Sequence, residues 1–106
     1  MKEIPKFEDE NSEISEKDLV AALKKGAEDF DSRKLFEDWT RQEEAKVKEP
    51  IDAIQFNRKR GRVYAQAGYM DEAVESLEDA LDQAFYEGRD DMVIEIGTEI
   101  DHIVGR

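Results

Sequence analysis

Glu99-Ile100-Asp101-His102 is the one stretch of this chain where residue types and spacing could build a metal site. A Glu-x-x-His pair puts both ligands on one helical face, and di-iron bundles use it twice, together with two further glutamates. Here it occurs once, near the C-terminus, so the expectation is a solvent-exposed His102 and no metal. Other chemistry has little to draw on. With no cysteine and a single histidine, disulfides and thiolate metal sites are excluded, and a Ser-His-Asp arrangement would depend on His102. Gly61 and Gly68 lie in helical surroundings rather than in a phosphate-cradling loop. No alternating acidic calcium loop is present. Carboxylates abound, but none is set apart in an apolar stretch that would raise its pKa. The residues therefore imply no enzyme, no catalytic residue and no cofactor.

What the charges can do is bind. The net charge is −12, unevenly spread. Residues 1–32 hold 10 acidic and 5 basic groups, residues 33–62 hold 6 and 9, and residues 63–106 hold 12 and 2. The only basic cluster is Arg58-Lys59-Arg60-Gly61-Arg62. On a helix Arg58 and Arg62, four apart, lie one above the other, and two guanidinium groups so placed can hold carboxylates by paired, charge-assisted hydrogen bonds. The plainer expectation is internal neutralisation by Glu72, Glu75, Glu78, Asp79 and Asp82 of the following helix, at about 0–1 kcal/mol per surface pair. A chain repelled from phosphates everywhere outside one short stretch is not a general binder of nucleic acid or of anionic membranes.

The elements that must position these groups are helices. Charged residues make up 42% of the chain and hydrophobic ones 39%, and with Gly 6 and Pro 2 there is little turn material for a many-stranded fold. The length suits one domain with one modest core. Residues 1–14, with Pro5 and no sustained period, are expected to form a flexible acidic tail, and residues 15–106 a single all-helical domain. Ser15 and Asp18 read as a capping pair. Leu19, Leu23, Ala27 and Phe30 then share a face, with Gly26 inside the helix. Asp31 or Ser32 is expected to cap a second helix to about Lys48, with an apolar stripe of Leu35, Phe36, Trp39 and Val47. Pro50 opens a third helix, Ile51 to Ala67, which Gly68 stops. The fourth runs from about Asp71 to Glu87 on Ala73, Val74, Leu77, Ala80, Leu81 and Ala84. The fifth starts near Asp90 and buries Met92, Val93, Ile96, Ile100 and Ile103. No segment is long and apolar enough to span a bilayer. The absence of cysteine and of a signal-like apolar run leads to a cytoplasmic expectation.

The third and fourth helices make a hairpin with a very short link, and Gly61, Tyr64, Gly68, Glu72-Ala73, Leu77 and Ala80-Leu81 are spaced along it in a familiar way. This resembles the tetratricopeptide repeat, over about one repeat and a third of the chain. The resemblance implies a small stack of about five antiparallel helices, with the hairpin at about 51–87. Gly61 and Ala80 would then let the two backbones approach, while Tyr64 and Leu77 fill the space between turns. The family's early tryptophan and leucine fall at Asn57 and Arg60 here, and its closing proline at Phe85. Ile54 and Phe56 could replace the missing apolar groups if the helix rotates slightly. In function, the resemblance implies a protein–protein interaction module or adaptor that holds a peptide or partner helix in a groove. The positions facing it would be Gln55, Arg58, Lys59, Arg62 and Gln66, suited to an acidic or carboxylate-bearing segment. The opposite class of function is an acidic regulator whose fourth and fifth helices occupy the basic surface of a nucleic-acid-binding or other cationic protein. Isolated repeats need their faces covered, here by the helices around Trp39 and Ile96 or by a second protomer in a homodimer.

Overall fold

A computed structural model describes residues 14–105, and among these there are five α-helices and no strand: α1 (Glu16–Lys25), α2 (Phe30–Ala45), α3 (Pro50–Gln66), α4 (Met70–Tyr86) and α5 (Asp90–Val104). The expectation of a tail concerns residues 1–14, of which 1–13 lie outside the described part. No helix among the described residues is long and apolar enough to cross a membrane.

The caps show why the helices start and stop where they do. The Ser15 hydroxyl accepts a hydrogen bond from the Asp18 amide at 3.1 Å, as its spacing predicts. Two corrections follow downstream. Gly26 does not sit inside α1 but ends it, at φ +101°, a conformation that costs a residue without Cβ little. The chain then restarts two or three residues earlier than expected, on Asp29 rather than on Asp31 or Ser32. The Asp29 carboxylate accepts from the Ser32 amide (2.9 Å) and hydroxyl (2.7 Å). Those bonds stabilise the ionised form and hold Asp29 below the usual carboxylate range. As a consequence Phe30, expected on the core face of α1, opens α2 and is 64% exposed. The second helix also ends early, at Ala45, so Val47 lies beyond it and is half-buried.

From α3 onward the expected boundaries agree to within a residue. Pro50 occupies the first turn of α3, and the Asp52 carboxylate accepts from the amides of Lys48 and Glu49. The α3–α4 and α4–α5 links are built alike. In each, a glycine at positive φ (Gly68, Gly88) follows the helix, and the next amide bonds back five residues, Tyr69 to Tyr64 (2.9 Å) and Arg89 to Ala84 (2.8 Å). This arrangement satisfies carbonyls that the helix end would otherwise leave orphaned.

Two cores meet at α3. Ile54, Leu77, Ala80, Ala84, Met92, Ile96 and Ile100 form an aliphatic one beneath α3, α4 and α5, with Val74, Leu81, Val93 and Ile103 half-buried against it. Leu19, Trp39, Phe56 and Val63 form the other, beneath α1, α2 and α3. Aromatic rings knit this second core together, with Trp39 5.7 Å from Phe56, and Phe36 within 5.6 Å of both Trp39 and Tyr64. The Tyr69 hydroxyl, in the α3–α4 link, donates to the Leu23 carbonyl at 2.6 Å and so ties that link to α1.

Helices α3 and α4 approach closely at Gly61. A Cβ there would lie 2.8 Å from Leu77 Cγ and 3.2 Å from the Ala73 carbonyl oxygen, so the glycine is required by the packing of α3 on α4 rather than by its own backbone angles.

Candidate interaction surfaces

Helix α3 carries every predicted groove residue, and the structure distributes them unequally. Gln55, Arg62 and Gln66 are exposed. Arg58 is not free: its side chain is 14% exposed, and it bridges to α5. Its Nε and Nη2 donate to the two oxygens of Glu99 at 3.3 and 3.2 Å, a two-pronged contact, and Nη1 donates to Glu95 at 3.2 Å. Burial alone would lower the Arg58 pKa. The hydrogen bonds and charges of Glu99, then of Glu95, outweigh it and leave the pKa raised. Lys59 turns the other way and pairs with Glu43 of α2 at 3.3 Å. Two members of the cluster, Arg58 and Lys59, are therefore paired internally, with partners on α5 and α2 rather than on α4. None of Glu72, Glu75, Glu78, Asp79 or Asp82 forms an ion pair with the cluster. Arg62 forms no ion pair with a described residue.

Glu99, half of the Glu-x-x-His pair, is thus a partner of Arg58, while His102 is exposed. Among the described residues no group of three or more histidine or acidic side chains is arranged to hold a metal ion.

The seam between α3 and α4 has a second side, and here the positions that depart from the repeat pattern find their use. Asn57 is buried, and its Nδ2 donates to Gln83 Oε1 of α4 at 3.0 Å. Arg60 Nη2 donates to Asn57 Oδ1 at 2.7 Å, and its Nε donates to Ser76 Oγ at 3.2 Å. The guanidinium also lies over the Phe56 ring, 5.0 Å from its centroid. Apolar packing at Asn57 and Arg60 is replaced by a connected polar network, in which no buried side-chain atom is left without a partner. Ile54 and Phe56 supply the missing apolar bulk, and both are buried.

This network floors a cleft of about 610 Å³ between the end of α2, α3 and α4. Glu44 and Val47 form one side, and Asp79, Asp82 and Gln83 the other. A smaller hollow of about 350 Å³ adjoins it, sharing Asp82 and Gln83 and reaching Pro50, Tyr86 and Glu87. The remaining acidic residues of α4, Asp71, Glu72, Glu75 and Glu78, are exposed along the helix. The cleft went unread in the sequence because three separated segments build it. The one available signal was the pair of polar residues at Asn57 and Arg60, where apolar ones were anticipated.

No family model matches the chain, and comparisons with curated proteins and with solved structures return no relative. What is established is a small all-helical stack of five helices among the described residues.

Proposed function

We propose that the chain is a non-catalytic protein–protein interaction module that works as an acidic regulator, offering the α4 face to a cationic surface of another protein. The observation that carries this is the difference between the two sets of charges. Arg58 and Lys59 are held by Glu95, Glu99 and Glu43, whereas Glu75, Glu78, Asp79 and Asp82 stand exposed without a partner among the described residues. Unpaired like charges on one helix repel one another and attract an oppositely charged partner over a Debye length. The tetratricopeptide-like character of the α3–α4 hairpin belongs to the same proposal. It is supported by the contact of Gly61 with Leu77 and by the burial of Ala73 and Ala80.

A second reading keeps the partner on the α3 groove, at Gln55, Arg58, Lys59, Arg62 and Gln66, with an acidic segment as ligand. Exposure of Gln55, Arg62 and Gln66 favours it. Affinity capture from lysate of the source cell separates the two. Capture that survives Arg62→Glu/Gln66→Ala but is lost in Glu75→Gln/Asp79→Asn/Asp82→Asn is the expected result. Loss in the first variant alone would sink the acidic-face reading and leave the groove.

A further inference from the structure

Resting on the interaction function just proposed, we infer that the cleft between the end of α2, α3 and α4 seats an extended basic segment of the partner, an arginine or lysine flanked by apolar residues. Three features of the cleft specify that chemistry. Its rim carries Glu44, Asp79 and Asp82, and none of their carboxylates forms a hydrogen bond or ion pair with a described residue. Against these three carboxylates stands one cation, Arg60, which Asn57, Ser76 and the Phe56 ring already hold. The field in the cleft is therefore negative, which turns away acidic peptides and nucleic acids and favours a guanidinium or ammonium group.

The second feature is apolar surface on the same walls. Val47, Ala53 and Phe56 line the cleft, and Tyr86, 87% exposed, stands at the end of the adjoining hollow. A bare polycation would leave that surface wet. A segment with apolar residues beside its cation covers it, and the methylene stems of lysine or arginine pack there too. The third feature is shape. Because α2 stops at Ala45 and the chain turns away before Pro50, the end of α2 does not close over α4. The two hollows, joined at Asp82 and Gln83, form a path along the α4 edge. Their size fits a few side chains of an extended strand rather than a packed helix, which is about 10–12 Å across.

Asp79 and Asp82 line the cleft while Glu75 and Glu78, one turn earlier on α4, do not, so the cleft can be told apart from the acidic face as a whole. The test titrates the ¹⁵N-labelled full chain with a short peptide of alternating leucine and arginine, and with one in which glycine replaces leucine. The leucine–arginine peptide is expected to bind and to shift the amide signals of Phe56, Asn57 and Gln83. Asp79→Asn/Asp82→Asn should weaken it about tenfold, and Glu75→Gln/Glu78→Gln, which removes the same charge from outside the cleft, by a clearly smaller factor. Circular dichroism confirms that both variants fold. Equal losses in the two variants would overturn the cleft and leave the acidic-face function intact. Equal binding of the glycine–arginine peptide would also overturn it, since the apolar walls would then contribute nothing. If neither peptide binds, the cleft proposal fails, while the acidic-face function still stands or falls on the capture experiment.

Discussion

The two charged faces of the α3–α4 hairpin are built from similar numbers of charges and have opposite fates. On α3, Arg58 and Lys59 are drawn onto neighbouring helices, Arg58 by Glu95 and Glu99 and Lys59 by Glu43. On α4, the row Glu75, Glu78, Asp79 and Asp82 forms no ion pair with a described residue. Bridges of the first kind fix how α5 and α2 sit on α3. Charges of the second kind form no such bridge, and like charges one turn apart repel. The difference teaches that a charge cluster conspicuous in a sequence can be the structural one, and a solvated acidic helix the one left over for a partner.

The strongest way to break the comparison is to remove the hairpin that carries both faces. Gly61→Val would push against Leu77 and the Ala73 carbonyl and is expected to cost about 3 kcal/mol, read as a lowered urea midpoint with loss of both faces at once. A smaller effect sharpens it. Arg58→Gln should cost about 1 kcal/mol and loosen α5, seen as faster amide exchange at Ile96 and Ile100. Arg62→Gln, on the same face but unpaired, should stay within about 0.5 kcal/mol of the wild type. A large cost for Arg62 would mean that it too is structural.

The smallest effect has the opposite sign. Asp79→Asn/Asp82→Asn removes like-charge repulsion at i,i+4 from Glu75 and Glu78 and should stabilise the fold by about 0.5 kcal/mol. A rise in melting temperature alongside weaker binding would mark these residues as kept for a partner and not for stability. A fall would mean that they have an internal role.

Much of this fold was legible in the sequence, for local reasons. Pro50, Gly68 and Gly88 punctuate the chain, and the apolar spacing of α4 and α5 matches a helix, so those elements agree closely. Gly26 misled because a glycine within an apolar period can be either interior or a stop, and only its positive φ decides. That choice moved Phe30 from the core to the surface. The basic cluster was visible, but its partners were not, since they depend on which helices flank α3. The cleft was the least visible feature, because Glu44, Phe56 and Asp82 come together only once α2, α3 and α4 have packed.

The most direct measurement is site-specific photocrosslinking with a photoreactive side chain placed at Tyr86, beside the cleft, or at Gln66, on the α3 groove face. Both positions are exposed, so neither probe disturbs a core. Capture of the partner through position 86 and not through 66 is the expected result. Capture through 66 and not 86 would contradict the assignment and return the interaction surface to α3.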